Sequence, residues 1–298
     1  MGAIRGSAGK GRERKYTAKL ILSFASRMNG AIATSTWFIL PGLLAIACYA
    51  FAAVPGEAKD ARPRLALLAG WLLHAVAIVV DFGGLGSAAS GARFGFAPAL
   101  SVTFWLVLAV YGVESRLLPL LNARRTLAGL GVLAVALALL YPGELRPLAS
   151  SRWAPLHWVL GIASYGLFGA AVLHGALLNR AERQMRGGGT AVAPPSAGVP
   201  LLRLERLTFW FVGAGFIVLS AAIALGAWFA SPWRLDHKTL LSLLGWAVFA
   251  GLLIGRRQFG WRGRRATGWL YAGAALLLLA YVGSRFVFEV LLHRNPIA

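Results

Sequence analysis

The chain has 298 residues, of which 58% are hydrophobic and 13% are charged, and its mean hydropathy is +0.67. Soluble domains carry about a quarter charged residues, so this composition excludes an ordinary soluble protein and indicates a polytopic helical membrane protein. The net charge of +20 does not indicate nucleic-acid binding, because the basic residues form short runs beside apolar segments, where they set membrane topology. The single cysteine, Cys48, excludes disulfides and cysteine-ligated zinc or iron–sulfur sites.

Apolar segments long enough to cross a bilayer follow one another along the chain. We predict eight spans, over residues 34–53, 65–82, 98–113, 127–141, 155–179, 207–230, 239–255 and 267–291. Between the fifth and sixth spans, "RQMRGGGTAVAPPSAGVP" is rich in glycine, proline and alanine, which is typical of a loop. The expected fold is therefore an all-α bundle of about eight transmembrane helices that face the lipid bilayer.

The distribution of basic residues predicts the orientation of this bundle. The loops after spans one, three, five and seven hold 16 lysines and arginines, whereas the other connections and the C-terminal end hold seven. Loops rich in lysine and arginine stay in the cytoplasm, so both chain ends should lie outside. Residues 1–33 carry seven more basic residues and contradict this orientation. We therefore predict that residues 1–27 are a disordered extension or a mis-called start before Met28, and place the integral-membrane domain at 31–298, with 1–30 outside it.

On this topology, three of the five histidines lie at the outer face. His157 and His237 begin spans five and seven, and His293 follows span eight. His74 lies midway along span two, and His174 lies 17 residues after His157, about 25 Å along a helix. A histidine in a membrane segment either bonds a neighbouring helix or binds a ligand. Three on one face favour a shared site, in which His293, near the terminus, is the weakest member.

Imidazole is a ligand of several metals, haem iron among them. Haem is flat and apolar, and it therefore needs aromatic walls. Trp153 and Trp158 flank His157, and Trp233 precedes His237. An interfacial belt of aromatic residues would place tryptophans at the same positions, so the tryptophans alone do not distinguish a haem site from ordinary anchoring.

Three segments, "LHWVLGIASYGLFGAAVLHGALL", "LDHKTLLSLLGWAVFAGLLIGR" and "GWRGRRATGWLYAGAALLLLAYVGSRFVFEVLL", carry a family resemblance. In this order and spacing they resemble the cytochrome c assembly protein family of CcsA/CcmC-like haem-handling membrane proteins, and most of all its YpjD/HemX-type inner-membrane branch. The resemblance covers residues 65–292. It implies a multi-pass protein of the bacterial inner membrane with an outward-facing site for non-covalent haem b. The implied role is an accessory one in haem handling or cytochrome c maturation, with proteins of that process as partners.

The resemblance also implies particular ligands. The family's outer histidines flank a tryptophan-rich loop and act as axial ligands; His157 matches the histidine before that loop and His237 the one after it. His74 resembles an intramembrane histidine of the family. The outer segment "ASPWRLDH" keeps Trp233 and Asp236 but not the repeated tryptophans, a departure from the family pattern. The expected cofactor-binding residues are His157, His237, His74 and Trp233, with His157 and His237 as ligands of the haem iron.

Other functions remain open at this point. The lack of a cysteine pair and the short outer loop favour an accessory protein over an enzyme that forms the thioether bond. An accessory of magnesium or cobalt homeostasis, or a structural assembly subunit without haem, would use the histidines differently. Asp81, Glu114 and Glu289 lie near span ends, where solvation would explain them. So few buried carboxylates argue against a stand-alone magnesium transporter, because magnesium prefers oxygen ligands.

Overall fold

A bundle of eight helices forms the described part of the chain. The computed structural model describes residues 39–55, 61–82, 92–115, 121–146, 153–186, 201–229 and 236–291. The helices are α1 (Ile39–Ala53), α2 (Arg62–Phe82), α3 (Phe96–Glu114), α4 (Leu121–Leu140), α5 (Ala154–Arg186), α6 (Leu201–Phe229), α7 (His237–Phe259) and α8 (Gly263–Leu291). Seven of them are long and apolar enough to cross a membrane, and α1 is shorter within the described residues. The prediction of an all-α polytopic bundle is confirmed.

Several helices extend beyond the predicted spans. The fourth span, predicted over 127–141, is part of a helix that begins at Leu121. The fifth, predicted over 155–179, continues to Arg186, and α6 and α8 also begin before their predicted spans. Hydropathy marks only the part of a helix that lies in lipid. Arginine and glutamate are good helix formers, so the helices continue into the polar region.

Two strands of three residues each were not predicted. β1 (Ala92–Phe94) pairs antiparallel with β2 (Glu144–Arg146), and Arg93 stands opposite Leu145. This pairing joins the segment before α3 to the segment after α4. Strands this short carry too few residues to show an alternating hydrophobic pattern.

The core of the described residues has two larger apolar clusters, which α3 and α5 join, and a smaller third cluster between the start of α3 and the last turns of α8. One apolar cluster, around Phe168, Phe249 and Leu270, lies among α5, α6, α7 and α8. The second cluster, around Tyr49 and Leu108, lies among α1, α3 and α4. Between α5 and α7, the rings of Phe168 and Phe249 stack with their centroids 3.8 Å apart. Helices α6 and α8 each pack against both α5 and α7, so α5 and α7 lie near each other without an extensive direct contact.

The last part of α8 departs from regular α-helix. Two π-helical turns, Leu279–Gly283 and Val287–Leu291, flank a short α-helical turn at Ser284–Phe286. The first π turn packs against α3 and α7. A π turn inserts an extra residue and rotates the side chains that follow it, and such turns are frequent at functional sites. The irregular end of α8 lies beside the beginning of α7, where a candidate ligand stands.

Candidate functional site

The beginnings of α5 and α7 and the last turns of α8 lie at one end of the bundle, which we call the His157 end; the opposite end is the Arg256 end. His157 lies in the first turn of α5 and is half-buried. Its Nδ1 lies 2.8 Å from the carbonyl oxygen of Ala222 on α6, a distance at which the Nδ1–H donates a hydrogen bond. The imidazole of a metal-binding histidine is commonly oriented by such a bond to a backbone carbonyl, with Nε2 as the ligand atom.

A glycine on α6 makes room for this ring. A Cβ atom at Gly226 would lie 2.8 Å from Cε1 and 3.1 Å from Nδ1 of His157. Any side chain at this position would therefore force the imidazole to move. Together, Ala222 and Gly226 form a cradle on α6 that holds the His157 ring in one place and sets its tautomer.

His237 is the first residue of α7 and is exposed at the same end of the bundle. Its ring centroid lies 5.8 Å from that of Phe288, in the second π turn of α8. The next residue, Lys238, has its ammonium group 5.1 Å from the centroid of the Tyr281 ring, and it also lies within electrostatic range of His157. The two predicted iron ligands thus lie at the same end of the bundle. They belong to α5 and α7, and both of these helices pack against α6 and α8.

The start of α7 is fixed by a side-chain cap. Asp236 precedes the helix in an extended conformation, and its Oδ1 accepts a hydrogen bond of 2.8 Å from the Thr239 backbone N–H. Burial raises the pKa of Asp236, but the hydrogen bonds from Thr239 and the nearby Lys238 and His237 outweigh it, and the pKa is lowered overall. The carboxylate therefore remains charged and holds the first turn of α7, including His237, in place.

His74 lies deeper in the bundle than these two histidines. It is buried, eight residues before the end of α2, which is about 12 Å along the helix. Its Nδ1 lies 3.2 Å from the Tyr49 hydroxyl, and its Nε2 lies 2.7 Å from Ser101 Oγ. The adjacent cavity, lined also by Asp81, measures about 20 Å³. That volume holds about one water molecule and is far too small for a porphyrin.

Two residues singled out from the sequence lie outside the described residues. They are Trp233, the predicted aromatic wall next to His237, and His293, the weakest of the three outer histidines. Of the other tryptophans, Trp153 is exposed and Trp158 is half-buried, both beside the start of α5. The proposed extension at residues 1–30 also lies outside the described residues.

The His157 end contains a charged network that sequence reasoning missed. Arg93 Nε, just before α3, lies 3.6 Å from the buried Asp81 Oδ1 at the end of α2. Arg285 Nη1 lies 3.7 Å from both Glu144 Oε2 and Glu289 Oε1. The expectation that solvation explains Asp81 and Glu289 is wrong, because both carboxylates turn inward to arginines. No sequence signal shows this inward turn, since span ends face water or protein equally well.

A second buried pair lies toward the Arg256 end. His174 Nε2 lies 2.7 Å from Glu114 Oε2, a close contact that lacks the alignment of a hydrogen bond. The Nδ1 of the same ring lies 2.7 Å from the Ala170 carbonyl oxygen, and the ring centroid lies 5.2 Å from that of Phe211. Solvation therefore does not explain Glu114 either. Within the described ranges, no group of three or more histidine, cysteine, aspartate or glutamate side chains could hold a metal ion.

Comparison with known families identifies the family of this chain. The Cytochrome C assembly protein family matches residues 63–292. The chain belongs to this family. The match includes all of α2 except its first residue and continues to the end of α8, so it contains the candidate cofactor-binding residues His74, His157, Trp233 and His237. The resemblance predicted from the sequence is confirmed.

Curated relatives share between about a quarter and a third of their aligned residues with this chain. The inner membrane protein YpjD of Escherichia coli (strain K12) is 28% identical over 200 residues, which cover 64% of this chain and 73% of YpjD. The cytochrome c biogenesis protein CcsA of Synechococcus sp. (strain CC9902) is 29% identical over 200 residues, covering 55% of this chain and 64% of CcsA. An uncharacterized 28.8 kDa protein of Azospirillum brasilense is 32% identical over 150 residues, covering 48% of this chain and 55% of that protein. No solved structure matches the chain significantly.

Proposed function

We propose that this cytochrome c assembly protein binds haem b non-covalently at the His157 end of the bundle and assists haem handling or cytochrome c maturation in the bacterial inner membrane. The observation that carries the proposal is the cradle around His157, where Ala222 accepts the Nδ1–H and Gly226 leaves room for the ring. A fixed imidazole with Nε2 as its ligand atom is suited to haem iron. The similarity to YpjD and CcsA supports the membrane and the process.

In this proposal His157 and His237 would hold the haem iron. His237 is positioned by the Asp236 cap at the start of α7, and Phe288 supplies an aromatic wall beside its ring. Lys238 adds a positive charge at the same end of the bundle, where haem propionates would lie. Bound haem would supply an iron centre with two nitrogen ligands, while the protein orients it and excludes water.

The remaining candidates have different positions in this proposal. Trp233, three residues before Asp236, would form a further wall of the site. His74 would bind iron only after giving up its contacts with the Tyr49 or Ser101 hydroxyl, so it is a ligand of second choice. The positive-inside distribution supports an orientation with the His157 end outside the cytoplasm. Without a cysteine pair to manage apocytochrome thiols, the chain would act as an accessory rather than as the enzyme that forms the thioether bond.

An absorption spectrum of the detergent-purified protein tests the proposal. The wild type should show a Soret band and, after reduction, the sharp bands of a low-spin iron with two histidine ligands. His157→Ala or His237→Ala should convert the spectrum to high spin or empty the site, because each removes one of the two residues that would bind the iron.

The matched control removes a histidine elsewhere while keeping the interior apolar. The double variant His174→Leu with Glu114→Leu lies toward the other end of the bundle and should retain the wild-type spectrum. If the wild type carries haem and both ligand variants keep its spectrum, the ligand assignment is wrong. If the wild type carries no haem after reconstitution, the family relationship reflects the fold alone.

A further inference from the structure

Six exposed arginines lie together where α6 begins, α7 ends and α8 begins. We call this group the arginine surface; its members are Arg203, Arg206, Arg257, Arg262, Arg264 and Arg265. The side chain of Arg262, in the three-residue turn between α7 and α8, is 70% exposed. Exposed charges repel one another, so a cluster of six of the same sign favours a bound anion.

Ion pairs between arginines and a carboxylate on α6 hold these helix ends together, so this carboxylate is already engaged. Glu205 on α6 is mostly buried; its Oε1 lies 2.7 Å from Arg256 Nη1 and 3.5 Å from Arg262 Nε. The Arg256 guanidinium also lies 3.5 Å from the centroid of the Phe209 ring. On the other side of the turn, the Glu182 carboxylate lies against Gly263. These two carboxylates are too few to neutralise the seven arginines of the region.

Exposed tryptophans extend the arginine surface toward the membrane. On α6, Arg206 and Trp210 are four residues apart, and Trp210 is 67% exposed. On α8, Arg265 and Trp269 repeat this spacing, and Trp269 is also exposed. Residues at this spacing share a helix face. The tryptophan lies about 6 Å further along the helix axis, toward the opposite end of the bundle. On α6 the guanidinium and the indole are both well exposed, whereas on α8 the Arg265 guanidinium and the Trp269 indole each pack partly against Trp261.

We propose that the arginine surface is a binding site for the phosphate headgroups of anionic phospholipids. Guanidinium groups bind phosphate oxygens through paired hydrogen bonds. Tryptophan prefers the depth where the headgroup meets the acyl chains, and the exposed indoles of Trp210 and Trp269 would lie at that depth beside the arginines. A soluble anion would use only the arginines, so the order of charge followed by aromatic apolar surface fits a lipid. This site lies at the Arg256 end and is independent of haem binding.

Lipid binding to the purified full-length protein tests this proposal. Native mass spectrometry should show that the wild type retains phosphatidylglycerol or cardiolipin in preference to phosphatidylcholine. The variant Arg203→Gln with Arg206→Gln should weaken anionic-lipid binding roughly tenfold or more, because each arginine near a membrane surface contributes appreciably to the attraction. Trp210→Leu should weaken retention of phospholipid while leaving the affinity for inorganic phosphate unchanged.

The control variant removes an equal positive charge, two arginines, from another helix at the same end of the bundle. Arg62 and Arg64, both exposed at the start of α2, are replaced by glutamine and should leave lipid retention near the wild-type level. An equal loss in the two double variants would mean general charge attraction and would overturn the site. If inorganic phosphate displaced the lipid at a concentration equal to that of the lipid, the site would be one for soluble anions, and the proposal would be overturned. Retention of an acidic soluble protein in place of lipid would likewise overturn the proposal.

Discussion

Replacing either His174 or Glu114 by leucine should destabilise the folded protein, whereas replacing both should restore most of the lost stability. The His174 ring is fully buried, the Glu114 side chain is 12% exposed, and Nε2 and Oε2 lie 2.7 Å apart. A single leucine leaves the other polar group in the interior without its partner. Two leucines remove both polar groups and fill the space between α3 and α5 with apolar atoms.

The expected magnitudes follow from this burial. Breaking a buried ion pair by removing one partner costs about 3–5 kcal/mol, whereas replacing the whole pair by apolar residues is often neutral. The His174 Nδ1 bond to Ala170 is lost in the double variant as well, at a cost of about 1 kcal/mol. We therefore expect losses of about 3 kcal/mol or more for each single variant and about 1 kcal/mol for the double variant.

A double-mutant cycle of unfolding in mixed micelles, followed by tryptophan fluorescence, measures these values. The size of the coupling also tells the nature of the pair, because neutral hydrogen bonds between membrane helices couple by about 0.6 kcal/mol and at most about 1.7 kcal/mol. A coupling above about 2 kcal/mol indicates an ion pair. If the double variant loses the sum of the two single losses, the side chains act independently and the reasoning is refuted.

Three further changes test other parts of the structure. A reporter active only outside the cytoplasm should stay silent when fused after Gly263 and be active near Asp236, and the reverse pattern would overturn the proposed orientation. Gly226→Val should displace the His157 ring, because even a Cβ at this position would lie 2.8 Å from it. The low-spin spectrum of the haem-loaded protein should be lost, while the yield of purified protein stays at the wild-type level. An unchanged spectrum would contradict the role of Gly226 in the cradle. Asp236→Ala should lower the free energy of unfolding by about 1 kcal/mol through loss of the cap on Thr239. Since the pKa of Asp236 is lowered, its charge should stabilise the fold fully above its ordinary pKa of 3.8 and lose this effect as the pH falls through the lower folded value. The stability difference between Asp236→Asn and the wild type should therefore be constant at neutral pH and shrink as the pH falls below 3.8.

The bundle could be predicted from the sequence because the bilayer sets the length and hydropathy of each span. The ends of the helices could not, since a helix such as α5 continues to Arg186 after the lipid ends. The β1–β2 pairing could not be predicted either. It depends on two distant segments meeting at the His157 end, and three residues show no periodicity.

The candidate site, too, could be predicted only in part from the sequence. Alternation of spans places His157 and His237 at one end, because helices five and seven run in the same direction. The cradle of Ala222 and Gly226 could not be predicted, since a bond to a backbone carbonyl 65 residues away leaves no mark on the sequence. For His174, the simpler of the two expectations holds, because its ring contacts a carboxylate of a neighbouring helix.

The two ends of the bundle differ in how much of their charge is exposed, and the difference separates their proposed functions. At the His157 end, the buried Asp81 is matched by Arg93, and Arg285 lies between two carboxylates. A charge inside the bundle is tolerated only when it is paired, so this network is expected to hold the helix ends rigid around the histidines. At the Arg256 end, all six members of the arginine surface are exposed, although Glu205 lies 3.5 Å from Arg262. Exposed arginines cost little to maintain and are available to a partner, so substitutions there should alter lipid binding and leave the spectrum at the His157 end unchanged.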